Sequence, residues 1–268
     1  MANYFAMTAI PLPAQLFGED TGHSIRLITD EERIATEDFF FSLGERVRID
    51  ASTTVVVVSD SRLAHSTLEE FAVLVEFALL LISSTGFPSV TMVASLSSDR
   101  CLSALQRPRI PCDAPRFLNR LTGNAACTWV RQFFIARGNT KDRLHVTADR
   151  FVRFCIAGST ADGLLDLCIS LESLIESETE ISFRFAVCLA KVTGEPDAEE
   201  LSVMLTDLYS LRSKVVHGSD TSKAHKKLAP NIPRLRGTAR TILTRYIFHL
   251  AENTKDDWKR RLKSSLFA

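Results

Sequence analysis

The stretch Asp197-Ala-Glu-Glu-Leu-Ser-Val-Met-Leu-Thr-Asp-Leu-Tyr-Ser-Leu-Arg-Ser-Lys-Val-Val-His-Gly218 decides the fold of the second half of this chain. Leu201, Met204, Leu205, Leu208 and Val215 recur at the spacing of an amphipathic helix. Asp197 opens it with Glu200 in the capping-box position, and Gly218 closes it, since glycine readily adopts the left-handed conformation in which helices end. Toward the N-terminus, Ile181, Phe185, Cys188, Leu189 and Val192 make a second stripe, stopped by Gly194 and Pro196. Leu164, Leu167, Cys168, Leu171, Leu174 and Ile175 make a third, and Leu144, Ala148, Phe151, Val152 and Cys155 a fourth that ends at Gly158. Toward the C-terminus, a loop with Lys223, Lys226, Lys227, Pro230 and Pro233 leads to a helix carrying Ile242, Leu243, Tyr246, Ile247 and Leu250. Five helices with short connections predict a bundle.

The first half has a different period. Arg46–Ser59 alternates and then becomes the β-branched run Thr53–Val58, as a strand does that starts half-buried and ends fully buried. Ser66-Thr-Leu-Glu69 predicts a capping box ahead of a helix over 68–83, closed by Gly86 and Pro88. Ser89–Leu96 alternates again, with Val90, Met92, Ala94 and Leu96 on one face. Pro108, Pro111 and Pro115 mark an irregular connection, and a helix is expected from about Phe117 to Arg137 before the turn signal Gly138-Asn139. The expected fold class is α+β overall: a small mixed α/β domain over residues 1–138, then an all-α helical bundle over residues 139–268.

Composition excludes several function classes. Lys plus Arg equals Asp plus Glu at 32 each, so the whole molecule gives no general pull toward nucleic acid or membrane. The balance hides an asymmetry: Gly158–Leu211 holds eleven acidic residues against two basic, and Arg212 to the end holds fourteen basic against four acidic. Met1-Ala-Asn-Tyr-Phe lacks the features of a secretory signal, and the apolar run Phe71–Ile82 is interrupted by Glu76 and falls short of the roughly 20 residues a bilayer span requires. A cytoplasmic protein without a membrane anchor is expected. The six cysteines sit at wide, irregular spacings that fit neither a zinc site nor a disulfide scaffold; core thiols are the simpler reading. No Gly-x-Gly-x-x-Gly, Walker-type loop, Gly-x-Ser-x-Gly or His-Glu-x-x-His occurs, so nothing calls for a nucleotide cofactor or a metal.

What remains is Arg212 and His217, a permanent cation and a titratable imidazole near one helix end. Five residues turn an ideal helix by about 500°, which leaves the two side chains about 140° apart and about 7.5 Å apart along the axis. Bringing them together requires the reach of Arg212, a loosened last turn, or a second copy of the helix. A cation at a helix C-terminus also has a purely structural use, because it complements the helix dipole by about 0.3–1 kcal/mol.

Arg212 to His217 has the Arg-x4-His form of the HEPN superfamily, and the flanking sequence resembles the Apea-like HEPN subfamily. That subfamily shows a helix like Leu171-Glu-Ser-Leu174, a stretch like Glu180-Ile-Ser-Phe-Arg-Phe-Ala186, and a block like Leu208-Tyr-Ser-Leu-Arg-Ser-Lys-Val-Val-His-Gly218, and all three occur here in order. The likeness covers roughly Asp142 to Leu250 and leaves residues 1–138 unassigned. The resemblance implies a helical domain that dimerises through the motif helix, so that Arg212 and His217 of both copies line one cleft. It further implies a metal-independent endoribonuclease of prokaryotic defence or toxin biology, in which the RNA 2′-hydroxyl attacks the adjacent phosphate. The alternative is a non-catalytic HEPN module for dimerisation or ligand binding. Residues 1–138 would sense a trigger, through a regulatory partner or ligand, or restrain activity.

The neighbours divide between site and scaffold. Ser213 either orients His217 or the phosphate, or is a solvated helix serine. Glu172 is expected to form a structural ion pair with Arg212 or Arg184. Tyr209 either stacks on a base or packs at a helix interface. Lys214, Lys223, Lys226, Lys227, Arg234 and Arg236 form a basic segment that either tracks an RNA backbone or neutralises the acidic helices before it. His225 and His249 have no partner spacing and are expected to do nothing catalytic.

Overall fold

A computed structural model describes residues 2–8, 30–43, 55–58, 67–85, 89–97, 100–107, 116–117, 142–175, 181–194, 196–253 and 255–265. The chain divides into two compact units, Met1–Phe134 and Ile135–Ala268. The first mixes strands and helices, while every described element of the second is helical, so the protein is α+β. Among the described residues no helix is long and apolar enough to cross a membrane.

The first unit is built on an antiparallel sheet of strand order β2-β1-β4-β5, where β1 is Ala2–Thr8, β2 Val55–Val58, β4 Val90–Ser97 and β5 Arg100–Gln106. Phe5 of β1 faces Val57 on one side and Ala94 on the other, so β1 separates β2 from β4 and those two run parallel. The expected strand, helix, strand order therefore holds for β2, α2 and β4, but the strand between them comes from the extreme N-terminus, where the pattern predicts nothing. Helix α1, Asp30–Ser42, and strand β5 are likewise unmarked by periodicity. A small second sheet pairs β3, Ser83–Thr85, with β6, Arg116–Phe117. The helix expected over Phe117–Arg137 lies, beyond Phe117, outside the described residues, as do Gly86 and Pro88.

Helix α2, Leu68–Ile82, is buried at every position from Phe71 on, as a helix apolar all round must be. Its capping box falls one residue later than expected. Thr67 accepts from the Glu70 N–H at 3.1 Å and Glu70 accepts from the Thr67 N–H at 3.1 Å, while Glu69 is engaged at 3.1 Å by Arg107. The interrupting Glu76 is 0% exposed. It accepts from the Val90 N–H at 2.8 Å and from Arg107 Nη1 at 2.9 Å, and Arg107 also donates to the Val90 carbonyl at 3.1 Å. Burial holds the Glu76 carboxyl above its usual range, with Arg107 opposing. Val93 and Ser95 are buried along with Val90, Met92 and Ala94, so β4 is covered on both faces rather than one.

The second unit consists of α3 (Asp142–Ala157), α4 (Ala161–Glu172), α5 (Ile181–Thr193), α6 (Ala198–Val216), α7 (Ser222–Leu228), α8 (Ile232–Glu252) and α9 (Lys255–Ser265). The predicted stripes supply its core: Leu144, Phe151, Leu164, Leu171, Phe185, Leu205, Leu208, Ile242 and Tyr246 are each at most 2% exposed. Polar contacts fix α3 to α4, where Ser170 donates to the Thr147 carbonyl at 2.9 Å and Arg150 meets Asp166 at 2.7 Å. Two expectations are corrected. The stretch after Gly218 is not all loop, since Ser222–Leu228 forms α7, a helix that buries only Leu228 and so shows no apolar stripe. The five predicted helices also do not complete the bundle, since α9 follows the last of them. In α9, Trp258 is buried against Tyr246, ring centroids 5.0 Å apart, and its Nε1 donates to the Leu174 carbonyl at 3.1 Å, which satisfies a group left open where α4 ends.

Candidate functional site

Helix α6 presents the motif. Leu201, Leu205, Leu208 and Leu211 face the core, whereas Val203, Thr206, Ser210, Val216 and His217 are exposed. The helix ends in a Schellman motif: the Gly218 N–H bonds to the Val215 carbonyl at 3.1 Å, the Ser219 N–H to Lys214 at 2.9 Å, and Gly218 has φ of 63°. His217 is the C-cap residue, its own N–H bonded to the Ser213 carbonyl at 3.0 Å, so the backbone beneath the imidazole is tied down while the ring reaches solvent. At the other end the expected capping box is not formed. Asp197 makes no side-chain cap, because Asp197 and Glu200 both bind Arg234.

Arg212 points elsewhere. Its Nε lies 3.4 Å from Glu172 Oε2, at ion-pair distance but without hydrogen-bond alignment, with the two side chains 30% and 22% exposed. Glu172 is the last residue of α4, where the helix dipole disfavours a carboxylate by about 0.3–1 kcal/mol; the nearby guanidinium offsets this. One turn before Arg212 on α6, the Tyr209 ring centroid is 5.8 Å from its guanidinium carbon, close enough for a cation–π contact. The other side of Tyr209 meets Phe185 of α5 with centroids 5.5 Å apart. Burial, and then the Glu172 charge, raise the Tyr209 phenol above its usual value, while Arg212 opposes. Tyr209 is thus an interface residue whose ring also steers Arg212. Beneath the pair lies Cys168, fully buried, its thiol pushed up by burial and by Glu172.

No hydrogen bond or ion pair links Arg212 to His217, and the helix geometry explains why: Arg212 leans toward α4 while His217 sits on the outward face. Within one chain the two are held apart. Ser213 lies half-buried between them and contributes its carbonyl to the C-cap.

The basic segment after the motif separates into two groups. Lys227 meets Asp207 at 2.8 Å, Arg234 is held by Asp197 and Glu200, and the Arg236 guanidinium carbon lies 5.5 Å from the Phe154 ring centroid. Lys227 and Arg234 are paired with acids of α6 and its N-cap, which is the neutralising role that the charge asymmetry allows, whereas Arg236 packs on an aromatic ring of α3. Lys214, Lys223 and Lys226 form no ion pair among the described residues. His225, for which no catalytic part is expected, donates from Nε2 to the carbonyl of Ser159. A partner 66 residues away leaves no sequence signal. Among the described residues no group of three His, Cys, Asp or Glu side chains is arranged to hold a metal ion.

Comparison of the chain with protein-family models, with curated proteins and with solved structures finds no match in any of the three. The residues and their geometry alone carry the functional reading.

Proposed function

We propose that this protein is a metal-independent endoribonuclease of HEPN type that works as a homodimer through α6, in a prokaryotic defence or toxin setting. The observation that carries the reading is the disposition of the motif: His217 exposed on a tied-down helix end, and Arg212, which leans toward α4, held part-exposed by Glu172 and Tyr209. One chain supplies half a site. A second α6 laid against the uncharged outward residues Val203, Thr206 and Ser210, on the same side as His217, would complete it with another imidazole and guanidinium.

The chemistry follows from the residue types. One His217 imidazole takes the proton of the RNA 2′-hydroxyl, and the oxygen attacks the adjacent phosphorus. The Arg212 guanidinium offsets the charge that gathers on the non-bridging oxygens, remaining protonated throughout. The bond to the 5′-oxygen breaks, and that oxygen leaves with a proton from the second His217. The products are a 2′,3′-cyclic phosphate and a free 5′-hydroxyl. An imidazole suits both proton transfers because it exchanges protons near neutral pH.

Cleavage of single-stranded RNA in excess EDTA tests this. The wild type is expected to leave 2′,3′-cyclic phosphate ends, with His217→Ala and Arg212→Ala both inactive. Equal cutting by all three preparations would assign the activity to a contaminant. The competing reading is a non-catalytic HEPN module for dimerisation or ligand binding, and the ion pair with Glu172 favours it by giving Arg212 a structural partner. It predicts the dimer without cleavage.

A further inference from the structure

Beside the motif, the second unit contains an open cleft of about 500 Å³, within the range that holds small ligands. Three segments form it: the α3–α4 turn at Ser159–Ala161, the turn Asp220–Ser222 that follows the motif, and the face of α7 bearing His225 and Lys226. Asp220 is only three residues past His217, so by chain length alone the cleft begins within about 10 Å of the backbone under the imidazole.

Part of the lining favours an anion. Lys226 is exposed and forms no ion pair among the described residues, in contrast to its neighbour Lys227, which Asp207 holds at 2.8 Å. Thr221 and Thr160 add hydroxyls; Thr160 is the N-cap of α4, its Oγ1 accepting from the Gly163 N–H at 3.0 Å while its own O–H can still donate, and the helix dipole there favours negative charge. The single acid in the lining, Asp220, stays ionised, because the Ser222 N–H at 2.9 Å and the Ser222 hydroxyl both donate to its Oδ1 and hold its carboxyl below the usual range, so an anion would be held by Lys226 and the hydroxyl donors and not by a net positive charge. The bond from His225 Nε2 to the Ser159 carbonyl clamps the two walls together, so the cleft has a set width.

We propose that this cleft is a phosphodiester subsite that holds the backbone of single-stranded RNA at a nucleotide flanking the bond cut at His217. The identity of the strand rests on the ribonuclease reading above. Lys226 is the anchoring charge, the threonine hydroxyls are donors, and His225 is a positioning residue.

The test is binding of a fluorescein-labelled single-stranded RNA to full-length His217→Ala protein in EDTA, by anisotropy over a range of salt concentrations. Adding Lys226→Glu is expected to weaken binding at least about tenfold, the factor for one charge-assisted hydrogen bond. The slope of log affinity against log salt should fall by about 0.7, as for one single-strand phosphate contact. Lys191→Glu, an exposed site on α5 away from the cleft, should change neither in the same way. Unchanged affinity and slope with Lys226→Glu, or no measurable RNA binding by the His217→Ala protein, overturns the subsite. A stabilisation by inorganic phosphate that Lys226→Glu removes, with RNA affinity intact, overturns the strand assignment in favour of a small phosphorylated ligand. Lys226-dependent binding by a protein that, as wild type, leaves RNA uncut would keep the subsite and defeat the ribonuclease reading instead.

Discussion

Each unit contains a glutamate–arginine pair that joins a helix to its surroundings, and the two pairs are built differently. In the first unit Glu76 is fully buried and Arg107 is matched at every nitrogen: Nε to Glu69, Nη1 to Glu76 and the Val90 carbonyl, Nη2 to Glu76. In the second, Glu172 and Arg212 are part-exposed and meet at 3.4 Å without hydrogen-bond alignment. A guanidinium whose donors are all used inside the protein is structural. One that is only loosely held keeps donors for a phosphate, and loses less on letting go of its partner.

The contrast can be broken or sharpened by substitution, beginning with the largest effect. If the second unit carries the chemistry, His217→Ala lowers the RNA cleavage rate by about 10²–10⁴-fold, the usual range for a lost general acid–base, while the urea midpoint stays put because the side chain is exposed. A matching loss of stability would make His217 structural. In the first unit, Glu76→Ala leaves the largely buried Arg107 with only the exposed Glu69 as counter-charge and should cost about 3 kcal/mol, read from the denaturation midpoint of that unit; a cost below about 1 kcal/mol would erase the distinction between the pairs. Gly218→Ala forces a side chain into φ of 63° in otherwise open space, so the expected cost is backbone strain of about 1–2 kcal/mol, with cleavage falling further than stability if the cap positions His217. The smallest effect belongs to Glu172→Gln, at most about 1 kcal/mol in chemical denaturation, since a part-exposed pair is screened by solvent.

Much of this was legible in the residues, and the reason is locality. Helix periodicity and the glycine stops depend on neighbours within one or two turns, so the stripes from Leu144 to Leu250 and the helix ends at Gly158, Gly194 and Gly218 could be read directly, and all three glycines have positive φ. So could the outward and inward sides of α6, from which the separation of Arg212 and His217 follows. Short or weakly patterned elements could not. Ala2–Thr8 becomes a central strand only because β2 and β4 pair with it, and Ser222–Leu228 has no apolar stripe to reveal it.

The sequence by itself determined the helical second unit, the two-part organisation, and the presence of an arginine and a histidine at the end of one helix, because these are set by side-chain pattern along the chain. Only the tertiary structure decided which charges are spent and which are left over. Asp197 and Glu200 were drawn from capping to Arg234, Lys227 went to Asp207, and Lys226 stayed unpaired at an open cleft whose walls are joined by His225 and Ser159. Ion pairing joins residues tens of positions apart, and no local period records it.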